Sequence, residues 1–296
     1  MADTKKSWSA TTFSSSGQFQ SPFKFAQLSE KQFKAFSELI YAKTGIFLKP
    51  EKKELLNARL GKRLRACRIG SFKEYYEYVM NDKSGEELVH LIDSVSTNFT
   101  NFFRESAHFD FLTSTVLPEI INAKNFRNHI SIWSAACSSG EEPYTIAMVV
   151  DDFLRRFSGI RFEIKATDIS TRVLTAARKA VYPQERVKTV PQDFLRRYFQ
   201  KGVGKSSGHV KVKDNLKGHV NFEHFNLMDD FPWQESFDVV FCRNVMIYFN
   251  RQTQTELVEK FYGCLKTGGF FFIGHSESIS SIRHNLNQAG ATAYRK

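Results

Sequence analysis

The stretch that decides the fold is residues 130–148, ISIWSAACSSGEEPYTIAM. It opens on a short β-prone run around Trp133, passes through small residues that end at Gly140, and continues as an apolar segment with helical spacing. Pro143 is preorganised for a first helical turn, and the helix dipole favours Glu141 and Glu142 in that turn. The pattern predicts a strand, a tight turn and a helix N-terminus, with which α/β folds bring backbone close to a nucleotide-like ligand.

The two acids restrict the kind of ligand. A phosphate binder presents bare N–H groups at a helix N-terminus, whereas Glu141 and Glu142 favour a ligand that carries positive charge and no phosphate. S-adenosylmethionine is such a ligand. An ordinary tight turn between a strand and a helix is the alternative that this stretch by itself leaves open.

Length and composition limit the class of protein. The 296 residues, 42% of them apolar, suffice for one large or two modest domains, and no run approaches the ~18 apolar residues of a membrane span. The polar, Ser-rich residues 1–25 predict a flexible cytoplasmic tail and not a signal peptide. Four widely spaced cysteines predict neither disulfides nor a metal site. The net charge of +11 indicates an acidic partner without choosing among nucleic acid, membrane and protein.

Four helical segments predict a small all-helical domain over residues 26–96. The second begins near Pro50 and carries a narrow apolar stripe formed by Leu56, Leu60, Leu64 and Cys67. The adjoining face is basic and contains Lys52, Arg59, Lys62, Arg63 and Arg65. Two interpretations stay open, a solvated face on a core helix and a docking surface for an acidic helix or a nucleic-acid backbone.

After a polar–aromatic connector, residues 97–104, predicted strands alternate with helices from residue 130 onward, which favours a largely parallel sheet. One strand delivers Asp168 at its carboxyl end, where an acid can bind ribose hydroxyls. The motif G-x-G-x-x-G is missing, so an NAD enzyme is not expected. Residues 243–248 follow another strand and should line the ligand site, because ligands bind outside the carboxyl ends of strands.

Three later segments are less regular. Residues 184–218 interrupt the alternation with glycines and an exposed hairpin strand over 209–213, which is either a peptide-binding edge or a plain surface hairpin. Residues 266–269 are expected to form a turn before the last strand. His275 follows that strand and is a candidate for catalysis, although a single loop histidine more often has no catalytic role.

Five stretches together resemble the signatures of the chemotaxis receptor methyltransferases, the CheR family. They are TNFTNFFRE (97–105), WSAACSSGEEPYTIA (133–147), ATDIS (166–170), FCRNVMIYF (241–249) and GGFFFIGHSES (268–278), in family order. The resemblance covers the chain from about residue 26 to its end. It implies a Rossmann-like class I methyltransferase domain over residues 97–296 with an antiparallel β insertion, and an N-terminal helical domain that docks the substrate.

The resemblance also implies a reaction. The enzyme would transfer a methyl group from S-adenosylmethionine to glutamate side chains on the cytoplasmic helical region of membrane chemoreceptors, forming methyl esters and S-adenosylhomocysteine. It would act in the cytoplasm, without inserting into the membrane and without a nucleic-acid partner. No general base is needed, because a glutamate carboxylate with an ordinary pKa of ~4.3 is already ionised at neutral pH.

Residue roles follow from the resemblance position by position. The cofactor contacts would be Asn98, Thr100, Arg104, Glu142, Asp168, Asn226, Leu227, Arg243 and Asn244. Arg104 and Tyr248 would lie beside the transferring methyl group as catalytic residues. The basic residues of the second helix would dock the receptor, and Gly202, Gly204 and Gly208 would tether its C-terminal peptide.

Two other functions compete with this one. A nucleic-acid methyltransferase is supported by the net charge, but the Asn/Asp-Pro-Pro-aromatic motif of many such enzymes does not follow Cys242. A non-catalytic adaptor would keep the cofactor fold only to bind receptors. Glu142, Asp168, Arg104 and Tyr248 are all present, which argues against a protein that has lost its catalytic activity.

Overall fold

The computed structural model describes residues 27–123 and 126–296, and the predicted tail over residues 1–25 lies outside them. The helices are α1 Glu30–Thr44, α2 Lys53–Cys67, α3 Phe72–Asn81, α4 Glu86–Val95, α5 Ala107–Phe111, α6 Leu117–Ile121, α7 Glu141–Leu154, α8 Thr171–Lys179, α9 Gln192–Tyr198, α10 Asp214–Lys217 and α11 Arg251–Cys264. The strands are β1 His129–Ala135, β2 Arg161–Asp168, β3 Val181–Pro183, β4 Phe199–Lys201, β5 His209–Val212, β6 Val220–His224, β7 Phe237–Cys242, β8 Leu265–Phe272, β9 Asn287–Gln288 and β10 Ala293–Arg295.

Helices α1 to α4 pack around an apolar cluster of their own. Helix α1 begins with a capping box, in which Ser29 accepts from the backbone of Gln32 and the Gln32 side chain accepts from the backbone of Ser29. Its buried residues, Phe33, Phe36 and Ile40, meet the apolar stripe of α2. The helical spacing of the sequence therefore predicted both the helices and the faces that they bury.

Within the described residues, seven strands form a mixed sheet in the order β6-β2-β1-β7-β8-β10-β9. The first five strands in this order are parallel to one another. Strand β10 runs antiparallel to both β8 and β9. The predicted class I methyltransferase fold is confirmed. Because the chain goes from β1 to β2 on one side and β7 lies on the other, a crevice opens at the carboxyl end of β1.

The core beside this crevice is aromatic. Trp133 of β1 is fully buried, and rings that include Phe237, Trp233 and Phe261 lie within 6 Å of it. Its indole N–H donates to Thr167 Oγ1 at 3.0 Å, so the buried polar atom has a partner. This packing holds β1 and β2 in register where both strands end at the crevice.

Two segments differ from the sequence interpretation. The expected turn over residues 266–269 lies inside β8, which pairs with β7 through a register shift and passes Gly268 at a φ of 80°. A glycine pair in a strand marks such an irregularity as readily as a turn, and the sequence does not distinguish them. The helical segment from α5 to α6 and the short strands β9 and β10 were not predicted.

The insertion is a three-stranded antiparallel sheet in the order β3-β5-β4. It starts at Val181, before the predicted boundary at residue 184. The strand expected to be an exposed hairpin edge, β5, is the central strand, and its backbone is paired on both sides. The insertion is fastened to α7, because Tyr198 donates to Asp151 at 2.8 Å and Arg197 pairs with Asp152. No helix among the described residues has the length and apolarity that crossing a membrane requires.

Candidate active site

A cavity of about 520 Å³ lies at the carboxyl ends of β1, β2 and β7, between the sheet and the helices α1 and α2. The structure brings together in its wall all residues that were assigned to the cofactor or to catalysis: Asn98, Thr100, Arg104, Glu142, Asp168, Asn226, Leu227, Arg243, Asn244 and Tyr248. The docking candidates Lys52 and Arg59 also line it. Lys62, Arg63, Arg65 and the three tether glycines do not.

The loop after β1 is held in a strained backbone shape. Ala136 and Ser138 have φ values of 59° and 50°, in the left-handed region. Gly140 has a φ of 96°, and a Cβ on it would lie 2.9 Å from the Tyr182 hydroxyl, so this position requires glycine. The loop thus passes close beneath the cavity with small side chains only.

Asp168 holds this loop in place. Its two carboxylate oxygens accept the backbone N–H groups of Ser138 at 2.8 Å and Ser170 at 2.9 Å. Burial raises the pKa of Asp168, and these two hydrogen bonds oppose the rise. The carboxylate therefore shapes the cavity floor and keeps one acceptor site on each oxygen for a ligand hydroxyl.

Arg243, at the end of β7, lies between two acids. Its guanidinium donates to Glu142 at 3.0 Å and to Glu105 at 2.9 Å, and its side chain is only 1% exposed. Burial raises the pKa of Glu142, whereas Arg243 and a hydrogen bond from Ser134 lower it. Burial would also raise the pKa of Glu105, but hydrogen bonds from Asn244 and Arg243 bring it to about 2. One buried cation faces two carboxylates, so this part of the wall carries net negative charge, beside which the positive centre of a ligand can bind.

Two buried donors in the wall have no hydrogen-bond partner among the residues that the structure describes. They are Nδ2 of Asn98 and Nε of Arg243. Because unpaired buried donors are costly, they indicate acceptor groups on a ligand. With the acids Glu142 and Asp168 and the apolar side chain of Leu227 in the same wall, the residues fit S-adenosylmethionine, which has a cationic centre, hydroxyl groups, a carboxylate and an adenine ring.

The connector over residues 97–105 is bound from several directions. Ser138 Oγ donates to the carbonyl of Asn98 at 3.0 Å, and Arg186 from the segment after β3 donates to the carbonyl of Thr100 at 3.1 Å. Arg104 donates to the carbonyl of Phe99 at 3.0 Å and leaves its half-buried guanidinium at the cavity. The connector therefore belongs to the cavity wall and not to a flexible joint.

The loop over residues 243–248 is shaped by an acid that the sequence analysis did not single out. The buried Glu277 accepts from the backbone N–H groups of Asn244 at 2.8 Å and Gly274 at 2.5 Å. Asn244 has a φ of 59°, which this clamp maintains. The motif GHSES contains Glu277, so a signal was present, but only the fold reveals which backbone groups it binds.

The helical domain closes one side of the cavity through contacts near Tyr248. The backbone N–H of Phe47 donates to the carbonyl of Tyr248 at 2.8 Å. Asn226, assigned to the cofactor, donates its side-chain amide to the carbonyl of Lys43 at 2.8 Å, so it joins the two domains. Leu227 is buried in the same apolar cluster as Trp133 and contributes an apolar side chain to the cavity wall. These contacts bring the N-terminus of α2 to the mouth of the cavity.

The basic residues of α2 differ in their surroundings. Lys52, Lys62 and Arg65 are exposed. Arg59 donates to the Val95 carbonyl and to Thr97 Oγ1, and burial lowers its pKa while Tyr248 raises it. Arg63 donates from Nε and Nη2 to the two carboxylate oxygens of the buried Glu87, so Glu87 balances its charge within the helical domain, and its role in docking stays a prediction.

The three tether glycines occupy the connection between β4 and β5, away from the cavity. Gly204 and Gly208 have positive φ values of 57° and 82°. His275 does not line the cavity; its backbone N–H donates to Glu105 at 3.2 Å, and its ring is exposed.

The chain is similar to proteins of known class. Residues 98–295 match the family described as CheR methyltransferase, SAM binding domain, and residues 31–96 match the family described as CheR methyltransferase, all-alpha domain. It is 41% identical to the chemotaxis protein methyltransferase of Borreliella burgdorferi, over 88% of this chain and 92% of the relative. It is 38% identical to the chemotaxis protein methyltransferase of Escherichia coli, over 90% of this chain and 91% of the relative.

These matches span both domains and leave no large part of the relatives uncovered. They agree with the cavity, whose acids and unpaired donors fit the cofactor named by the matched domain. The chain belongs to the CheR family of chemotaxis methyltransferases, and its methyl donor is S-adenosylmethionine.

Proposed function

We propose that this methyltransferase acts in the cytoplasm on glutamate side chains in the helical region of membrane chemoreceptors. It converts them to methyl esters and releases S-adenosylhomocysteine. The nucleic-acid alternative is not favoured, because the chain belongs to a family of chemotaxis methyltransferases. The observation that carries the proposal is the position of Arg59 and Tyr248, which come from different domains and line the same cavity.

This arrangement suits an acidic acceptor. The mouth combines basic residues from the helical side, Lys52 and Arg59, with exposed apolar side chains, of which Phe99 and Ile247 are 66% and 53% exposed. An amphipathic helix that carries glutamates would match both, with its apolar residues against the rim and its carboxylate inside. Docking of such a helix would also exclude water from the cavity.

The cofactor, when bound, supplies an electrophilic methyl group. The chain's own residues need only orient the acceptor, because the acceptor carboxylate is ionised at neutral pH. Arg104 is the cation that would bind one carboxylate oxygen and direct the other oxygen toward the methyl group. The Tyr248 hydroxyl would donate a hydrogen bond beside the reacting centre.

Two surfaces outside the cavity would hold the receptor. The exposed Lys52, directly before α2, and the exposed Lys62 of α2 would attract an acidic helix bundle, and Arg65 lies on the same helix. The three-stranded sheet would tether a receptor C-terminal peptide near Gly202, Gly204 and Gly208. Since β5 is already paired on both sides, added strand pairing would use the outer edge of β3 or β4.

The test is methylation with tritiated S-adenosylmethionine and three acceptors: receptor-enriched membranes, total RNA and buffer alone. We expect label in receptor protein that is released as methanol by mild alkali, as a carboxyl ester is. A variant with Tyr248→Phe and Arg104→Ala together serves as the matched control and should lose most of the label. Alkali-stable label in RNA, or no label in any acceptor, would overturn the proposal.

A further inference from the structure

Behind the cavity wall, three metal-ligating side chains converge. They are Glu105, two residues before α5, His108 in α5, and His275, which follows β8. Their ligand atoms all lie within 4.8 Å of one another. The sequence shows no metal motif here, because 170 residues separate Glu105 from His275 and only the fold brings them together.

One ring nitrogen of His108 is unpaired within residues 27–123 and 126–296. The residue is 4% exposed, and its Nε2 shares a hydrogen bond with Thr292 Oγ1, whereas its buried Nδ1 has no hydrogen-bond partner in this part of the chain. The tautomer that donates from Nε2 to Thr292 leaves a lone pair on Nδ1. Nδ1 lies 3.6 Å from an oxygen of Glu105, which is also an acceptor. Glu105 is half-buried, and this oxygen already accepts from Arg243 and from the backbone N–H of His275, so a cation bound here would supply the partner that Nδ1 of His108 lacks.

The separation between His108 and Glu105 suits a small divalent ion. Zn²⁺ binds imidazole nitrogen and carboxylate oxygen at about 2.0–2.2 Å with tetrahedral angles, so two ligands of one ion lie about 3.3–3.5 Å apart. The separation of 3.6 Å between His108 and Glu105 is close to this value. The exposed ring of His275, whose centroid lies 4.7 Å from that of His108, supplies a third ligand. Thr292 would not bind the ion itself, but its hydrogen bond to Nε2 would orient the His108 ring, as such partners of ligating histidines do.

The local charge permits a cation. Arg243 lies next to Glu105, but it is also paired with Glu142, so these three residues together carry a net negative charge. Two imidazoles and one carboxylate form a donor set that favours Zn²⁺ and its neighbours Co²⁺, Ni²⁺ and Cu²⁺ over Mg²⁺ or Ca²⁺.

We propose that Glu105, His108 and His275 form a site for a divalent transition ion, with Zn²⁺ as the ion that fits best. Glu105 does not line the cofactor cavity, but it accepts hydrogen bonds from Arg243 and Asn244, which do. An ion on Glu105 competes with the hydrogen bonds from Arg243 and Asn244 that hold the cavity wall. Metal binding therefore weakens S-adenosylmethionine binding, and by linkage the cofactor weakens metal binding by the same factor.

The site is tested by titrating the full-length, metal-free protein with ZnCl₂ in a calorimeter. We expect one Zn²⁺ per chain, and we expect His275→Ala to weaken binding at least about tenfold, since outer groups alone change metal affinity by about 10–100-fold. Thr292→Val should weaken it to a smaller extent. His284→Ala, a half-buried histidine outside the cluster, is the matched control and should bind as the wild type does.

His275 is exposed, so its replacement should leave the fold intact, which circular dichroism would verify. Co²⁺ offers a second readout, because a tetrahedral site gives it visible absorption that His275→Ala should abolish. Equal Zn²⁺ affinity in wild type and His275→Ala, or no saturable binding by wild type, would overturn the site. Zn²⁺ binding that leaves cofactor affinity unchanged would overturn the coupling to the cavity.

Discussion

Arg243 and Glu142 join the end of β7 to the first turn of α7 through a hydrogen bond of 3.0 Å. Arg243 is buried and Glu142 is 12% exposed in the wall of the cofactor cavity, and Glu142 also accepts from Ser134 at 2.8 Å. Glu142, which the sequence places at the N-terminus of α7, thus both binds Arg243 and lines the cofactor cavity.

Cofactor affinity should depend on the two acids of the wall. We expect Glu142→Gln and Asp168→Asn each to weaken S-adenosylmethionine binding by about 1.5–3 kcal/mol, because each loses a charge-assisted hydrogen bond. Calorimetry on the purified variants measures this.

A control separates affinity from folding. Glu119→Gln changes an acid outside the cavity wall, which pairs with Arg295 on the surface, and should leave cofactor affinity unchanged. Wild-type affinity in both Glu142→Gln and Asp168→Asn would remove these residues from the binding site.

The chemical step should respond to Tyr248. The domain contact of Tyr248 uses its backbone carbonyl, so Tyr248→Phe removes the hydroxyl without disturbing that contact. We expect kcat to fall about tenfold with unchanged cofactor affinity, the loss expected for one hydrogen bond made in the transition state. If the ring only packs against the adenosyl group, turnover stays normal.

Arg104 should affect both binding and rate. It lies at the cavity and is held by the Phe99 carbonyl, so Arg104→Ala removes both a charge and a wall element. We expect higher Kd for the cofactor and lower kcat, with Arg104→Lys intermediate because lysine lacks the fork of donors. Single-turnover kinetics at saturating cofactor would separate the two effects, and wild-type values for Arg104→Ala would exclude it from catalysis.

Receptor docking should depend on two exposed lysines, Lys52 directly before α2 and Lys62 within it. Lys52→Glu and Lys62→Glu should each weaken receptor binding by about 1–2 kcal/mol at low salt, since each reversal replaces an attraction with a repulsion. The effect should shrink as salt screens the charges. Lys73→Glu on α3 is the matched control, and cofactor affinity should stay constant in all three. An equal effect of Lys73→Glu would show that net charge alone matters.

Arg63 should matter for stability and not for docking. Removing one partner of its pair with the buried Glu87 leaves an unpaired charge, so Arg63→Met should lower the free energy of unfolding by about 3 kcal/mol. The double variant Arg63→Met, Glu87→Leu should recover part of this loss. Urea denaturation measures both, and a double variant no more stable than the single one would contradict the pairing.

The same pair predicts a pH dependence. Burial would raise the pKa of Glu87, but hydrogen bonds from Arg63 and Tyr75 bring it below its ordinary value of 4.5. A carboxyl group whose pKa is lower in the folded than in the unfolded protein stabilises the fold fully at pH values above its pKa in the unfolded protein. This stabilisation is lost as the pH falls toward its pKa in the folded protein. Stability should therefore fall below about pH 4.5, and less steeply in Glu87→Gln.

The connection between β4 and β5 should tolerate little change. A Cβ on Gly202 would overlap the carbonyl oxygen of Ser206, so Gly202→Ala must displace the backbone. We expect loss of binding to a receptor C-terminal peptide, measured by fluorescence anisotropy, with unchanged cofactor affinity. Gly263→Ala, whose Cβ would meet no atom within 4 Å, is the control and should bind the peptide normally.

The sequence by itself determined the local elements. Three patterns indicated these elements: small residues before Glu141 and Glu142, apolar spacing in α1 and α2, and alternating strands and helices after residue 130. Each pattern involves residues close together in sequence, because backbone geometry repeats every 2 residues in a strand and every 3.6 in a helix. The family motifs then assigned ten residues to the cofactor or to catalysis, and all ten line the cavity. The glycine pair at 268–269 misled because glycine permits a turn and a strand irregularity alike.

Only the tertiary structure decided which distant groups meet. Arg243 pairs with Glu105 and Glu142, Glu277 clamps the backbone of Asn244, and Arg63 is neutralised by Glu87. Side-chain partners separated by tens to hundreds of residues leave no periodic trace, because contact depends on packing of the whole sheet and its helices. For the same reason His108 and His275 show no metal-binding motif, although the fold places them against one carboxylate.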